Sequence, residues 1–108
     1  MFLLKYNVLL FVDISVHVVK EHAYCSGHRV ALGRDKVHGR GVSSVEQCAI
    51  LASADSRCDG SRSFDYSLYY KDGQCKCPTT NNCGTGTANS WWTIYRYEND
   101  VKGKPFFY

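Results

Sequence analysis

Six cysteines in a chain of 108 residues constrain what this protein can fold into more than any other feature. An even set in so small a domain reads as disulfides, which form and persist in oxidising compartments. The chain is therefore expected outside the cell or at its surface, reached through the secretory pathway. Its length leaves room for one domain and excludes a multidomain enzyme carrying its own cofactor fold. With 44% hydrophobic residues, 21% charged residues and a net charge of +3, the composition is that of a folding chain and not of a disordered one. A pI near 8.5 falls short of the concentrated positive field of a dedicated DNA binder, so nucleic acid is not an expected partner.

Residues 1–23 carry two readings. Lys5 leads into Val8, Leu9, Leu10, Phe11 and Val12, a run resembling the apolar stretch of a signal peptide. Asn7, Asp13 and His17 interrupt it, and Glu21 stands two positions before Ala23, where cleavage wants a small residue. The alternation of Val12, Ile14, Val16 and Val18 with Asp13, Ser15 and His17 also fits a half-buried strand. Either way the uninterrupted apolar run is too short for a helix to cross a bilayer, and no stable membrane span is expected.

From Tyr24 to Glu98 the chain reads as one compact unit. The stretch from Ser26 to Gly41 has four glycines and no sustained periodicity, the mark of a loop or a short irregular strand. A helix is expected from about Ser44 to Ala54: Ser43 or Ser44 caps it, Glu46 or Gln47 is the return partner, and Val45, Cys48, Ala49 and Ala52 form one stripe. Phe64, Tyr66, Leu68 and Tyr70 alternate with Asp65, Ser67 and Tyr69 as in a strand, Asp72-Gly73 signals a hairpin turn, and Gln74 to Cys77 returns as its partner. After a polar loop from Pro78 to Asn89, Ser90 to Tyr97 reads as a last strand, with Trp91, Thr93, Tyr95 and Tyr97 on one face and Trp92, Ile94 and Arg96 on the other. The tail from Asn99 to Tyr108 reads as a linker followed by aromatics, and the chain could belong to a longer multi-module protein.

The order of these features, a capped Ser-Val-Glu-Gln-Cys helix, a cysteine ten residues on, a Phe-Asp-Tyr strand, a hairpin and Gly-Gln-Cys, resembles the PAN/apple family over about Cys25 to Tyr97. The resemblance implies an α+β fold, a small disulfide-stapled antiparallel sheet curled around a single helix, and a bridge from helix to hairpin that maps to Cys48 with Cys75. Where the larger apple pattern has a second helix cysteine, this chain has Ala52, so Cys58 must pair elsewhere. Cys77 is its nearest candidate and Cys25 is then left for Cys83, although six cysteines allow fifteen connectivities.

No nucleophile signature surrounds any cysteine, and Asp55, Asp59 and Asp72 sit where turn chemistry accounts for them. No catalysis and no cofactor is expected. Zinc on Cys75, Cys77 and Cys83 with His28 and His38 is disfavoured by the one-residue gap between the first two cysteines. Arg29, Arg34, Lys36 and Arg40 share a loop with a single acid, Asp35. They read either as an anion site for a sulfated or carboxylated glycan or as a solvated surface. Fifteen aromatic residues exceed what a one-helix core can bury, so whichever of Trp91 and Trp92 faces outward is a second binding candidate. The resulting expectation is an extracellular binding module for a glycan or an extracellular protein. The alternative is a small cationic disulfide-rich effector, a toxin or inhibitor that acts by blocking a protein target.

Overall fold

The computed structural model describes residues 11–102 apart from 70, 71, 81, 82 and 85, with the backbone alone for 11–13 and 99–102. Over these residues the chain forms β1 (Phe11–Tyr24), β2 (Arg29–Ala31), α1 (Val45–Ala54), β3 (Ser63–Ser67), β4 (Gln74–Pro78) and β5 (Thr87–Lys102). The strands make one sheet in the order β1-β5-β3-β4-β2, antiparallel at every pairing. The fold is thus α+β, with one helix against a small antiparallel sheet and three disulfides. No helix among the described residues is long and apolar enough to cross a membrane.

Helix α1 forms where cap and stripe coincide. Ser44 is the N-cap in extended conformation, and its Oγ accepts from the Gln47 N–H at 3.0 Å. Gln47 reaches back one residue further than in a simple capping box, its Oε1 accepting from the Ser43 N–H at 3.0 Å. Cys48, Ala49 and Ala52 are buried, and their small side chains let the helix lie close on β1, β3 and β4. Replacing Ser44 by Ala removes the acceptor for an orphan N–H and should lower the unfolding free energy by about 1 kcal/mol, read from urea denaturation with an unchanged m-value.

The three bridges are Cys48 with Cys75, Cys58 with Cys77 and Cys25 with Cys83, with Cα separations of 5.5, 5.5 and 4.1 Å. Cys75 and Cys77 point to the same face of β4 because they are two residues apart on a strand. Both bridges on that face therefore pull toward α1 and the turn that follows it. Around them lies the main core of Val30, Leu32, Val42, Phe64, Tyr66 and Tyr97, with Ile14 and Val16 of β1 packed against it. The opposite face has a smaller core of its own, in which the Cys25–Cys83 bridge lies with Ala23 and Ile94.

Gly73 shows how tightly the hairpin docks. Its φ is +78°, and a Cβ there would run into the Val42 carbonyl and the Tyr66 hydroxyl. That hydroxyl donates to the Val42 carbonyl at 2.6 Å, tying β3 to the segment before the helix.

Some boundaries differ from the expected ones. The strand expected over Phe64 to Tyr70 ends at Ser67, because Ser67 Oγ accepts from the Tyr69 N–H at 3.1 Å and turns the chain locally. Leu68 and Tyr69 are consequently exposed. The last strand is longer than Ser90 to Tyr97 at both ends, and the expected linker begins as strand. The reason is β1, which pairs along β5 from Tyr24 opposite Thr87 to Phe11 opposite Lys102. Beyond Arg96, the last β5 residue paired with β3, the β1–β5 ribbon runs on as two strands. The start of the apolar N-terminal run, Asn81 and Asn82, and the aromatics Phe106, Phe107 and Tyr108 lie outside the described residues.

Candidate functional site

The basic loop is pinned. Asp35 Oδ1 accepts from the N–H groups of Val37 and His38 at 3.0 and 3.2 Å, while Oδ2 lies 3.0 Å from His38 Nδ1. These bonds, the His38 side chain first, hold the Asp35 carboxyl below the usual carboxylate range. Gly39 accepts from the Cys75 N–H at 2.8 Å, His38 O accepts from Gln74 Nε2 at 3.2 Å, and the Gly41 N–H donates to Gly73 O at 3.0 Å. The loop therefore runs along β4, next to the residue that bridges to the helix.

This placement opens a groove between loop and helix. Two adjoining cavities of about 330 Å³ each share Leu32, Lys36 and Leu51. One reaches Arg34, Gly41 and Gln47, and the other reaches Ala54, Asp55 and Ser56. Leu32 and Leu51 supply apolar surface, with Arg34 and Lys36 on the loop side. The Arg34 guanidinium lies over the bare backbone of Gly41, where a Cβ would come within 2.6 Å of its Nε. At the far end Asp55 is bound to Arg57 at 2.6 Å, and this hydrogen-bonded pair lowers its carboxyl pKa to about 2.

Of the four basic residues considered together in the sequence, the structure brings Arg34 and Lys36 to the groove and separates the other two. Arg34 pairs loosely with Asp72 at 3.8 Å, with both side chains largely in water. Such a pair contributes little and yields readily to a better anion. Lys36 makes no ion pair among the described residues. Arg40 turns toward the loop's own acid, its Nε 4.0 Å from Asp35 Oδ2.

Arg29 belongs to the opposite face. It sits on β2 beside Val30, and strand alternation sends it away from the helix. There its Nη1 donates to Asp65 Oδ1 at 2.9 Å. Asp65 is fully buried, and its Oδ2 accepts from the Cys25 N–H at 2.8 Å. Burial raises the Asp65 carboxyl pKa to about 6 despite the opposing pull of Arg29. The Arg29 guanidinium also lies 4.3 Å from the Tyr24 ring centroid and 5.0 Å from that of Trp92, and Lys76 Nζ lies 5.7 Å from the same Trp92 ring. Lys76 is directly opposite Asp65 in the β3–β4 ladder, and burial lowers its ammonium pKa.

The two tryptophans part as alternation requires. Trp92 joins the Arg29 and Lys76 cluster, and Trp91 is 58% exposed with its ring 4.5 Å from that of Tyr69. Cys75, Cys77 and Cys83, weighed above as zinc ligands, each carry a disulfide. No family model, curated protein or solved structure matches this chain, so the functional reading rests on the geometry. Asp65, Lys76 and Tyr24 were not singled out in the sequence. An acid between Phe64 and Tyr66 reads there as the solvent-facing member of an alternating strand, and only the Cys25–Cys83 loop over that face reverses the reading.

Proposed function

We propose that this chain is an extracellular, non-catalytic binding module of PAN/apple type that recognises an anionic glycan through the groove between the 33–41 loop and α1. One observation carries this reading: Arg34 and Lys36, on a loop held by Asp35 and β4, line the same apolar-floored groove, and Lys36 has no ion pair among the described residues. The loop backbone is already fixed, so only the Arg34 and Lys36 side chains need ordering on binding and less entropy opposes the complex. Leu51, partly buried at the groove, offers apolar surface to the C–H face of a sugar ring, while the cations meet its sulfate or carboxylate. The three disulfides support the extracellular setting.

The test is chromatography on immobilised heparin across a salt gradient. The chain should be retained at low salt and released as salt rises, because counterion release makes such binding salt-dependent. Arg34→Ala/Lys36→Ala should elute markedly earlier, while Arg40→Ala should shift the profile less. Retention that the double substitution leaves unchanged would remove the groove from the account. The blocking-effector alternative has one observation in its favour: Leu68, Tyr69 and Trp91, all more than half exposed, are apolar groups suited to a protein surface. A chain that passes straight through the heparin column would favour it.

A further inference from the structure

We propose that the face of the sheet away from α1 holds a second binding site, formed by Lys76, Arg29 and Trp92, for the carboxylate of a uronic-acid sugar. Three observations lead there. Of the groups gathered at this patch, Arg29 and Lys76 are cations and Asp65 is the one acid in ion-pair contact with either among the described residues. Asp65 meets Arg29 from beneath at 2.9 Å, so the cluster retains one positive charge and matches a monoanion. Lys76 is half-buried against Trp92 and makes no ion pair among the described residues, a partly desolvated cation at which an incoming anion is bound more strongly than in open water.

The second observation is pre-organisation. A fully buried carboxylate fixes the guanidinium between the rings of Tyr24 and Trp92, so Arg29 needs no rearrangement to present its remaining N–H donors. The third is the chemistry of the free cation. A lysine ammonium is a compact, strongly hydrated point charge suited to an equally compact carboxylate, and the Arg29 guanidinium, which gives Asp65 one N–H at 2.9 Å, keeps further donors for the same group. Trp92, partly buried, carries both cations over its ring and so keeps them together at the patch. This site is separate from the loop groove, and its test does not depend on that groove being occupied.

The probe is an unsulfated tetrasaccharide of alternating glucuronate and N-acetylglucosamine, titrated into the intact, oxidised chain and followed by two-dimensional NMR. Saturable binding is expected, with the Trp92 indole N–H resonance among those that move. Lys76→Gln should weaken binding at least about ten-fold, the scale of one charge-assisted hydrogen bond, and Lys76→Arg should restore most of it. Lys76 reaches solvent, so neither substitution threatens the fold. Arg34→Ala/Lys36→Ala should leave this titration unchanged even where it abolishes heparin retention, which keeps the two readings distinguishable. No saturable binding, equal binding of a neutral tetrasaccharide of N-acetylglucosamine, or loss in the loop double variant but not in Lys76→Gln would each overturn the proposal.

Discussion

Reduction of the purified chain at 25 °C and neutral pH should unfold it, with loss of the near-ultraviolet circular dichroism of its buried tyrosines. The bridges close sequence separations of 58, 27 and 19 residues. By the chain-entropy argument each restricts the unfolded ensemble by about 3–4 kcal/mol. Three such contributions match the whole net stability of an ordinary domain, roughly 5–15 kcal/mol, and a domain this small buries too little surface to replace them. Among the three, Cys48–Cys75 has the most direct consequence for the groove. It joins α1, which carries Leu51, to β4, along which the Arg34 and Lys36 loop is laid. Cys48→Ala/Cys75→Ala should therefore lower the unfolding free energy by about 3–4 kcal/mol and weaken heparin retention even where the domain remains folded. Unchanged thermal stability on full reduction would refute the stapling argument.

Asp65 is the second site of large effect. Asp65→Ala leaves the Arg29 guanidinium and the Cys25 N–H without their shared acceptor in a buried place. Breaking a buried pair from one side typically costs about 3–5 kcal/mol. Replacing both partners by apolar residues of similar size, Arg29→Met/Asp65→Leu, should cost far less, since the desolvation that the pair has to overcome disappears with it.

The pair also has a pH signature. Burial raises the folded pKa of Asp65 from 3.8 to about 6, so between those values the folded state holds a proton that the unfolded chain has released. Stability from this group is fully present below about pH 4 and is lost as pH rises through about 6, a change of about 3 kcal/mol. Urea denaturation of the native chain at pH 4, 5, 6 and 7, compared with Asp65→Asn, should show the native chain losing stability relative to the variant as pH rises. Parallel profiles would mean that Asp65 titrates as an ordinary carboxyl.

The helix and the hairpin were legible in the sequence because several local signals agreed. Ser44, Gln47 and the Cys48, Ala49, Ala52 stripe name the same helix, and Asp72-Gly73 sits between two strands that the structure pairs. The family likeness implies Cys48–Cys75, the placement of Cys77 on the same strand face makes it the nearest partner for Cys58, and Cys25 is left for Cys83; all three pairs are found. What stayed hidden is non-local. β5 runs past its expected ends because β1 lies beside it, and no feature within residues 87–102 announces a partner some 80 residues away in sequence. Arg29 lies close to Arg34, Lys36 and Arg40 along the chain, yet a three-residue strand sends it to the other side of the sheet. The second core beneath it became visible only once Cys25–Cys83 closed over Ile94.

The scaffold on which both recognition surfaces depend is tested most directly by peptide mapping of the unreduced chain by mass spectrometry. Three linked peptides are predicted, joining Cys25 to Cys83, Cys48 to Cys75 and Cys58 to Cys77, with no free thiol. Free thiols at these positions, or Cys48 linked to Cys77 and Cys58 to Cys75, would contradict the arrangement that holds helix, loop and sheet together.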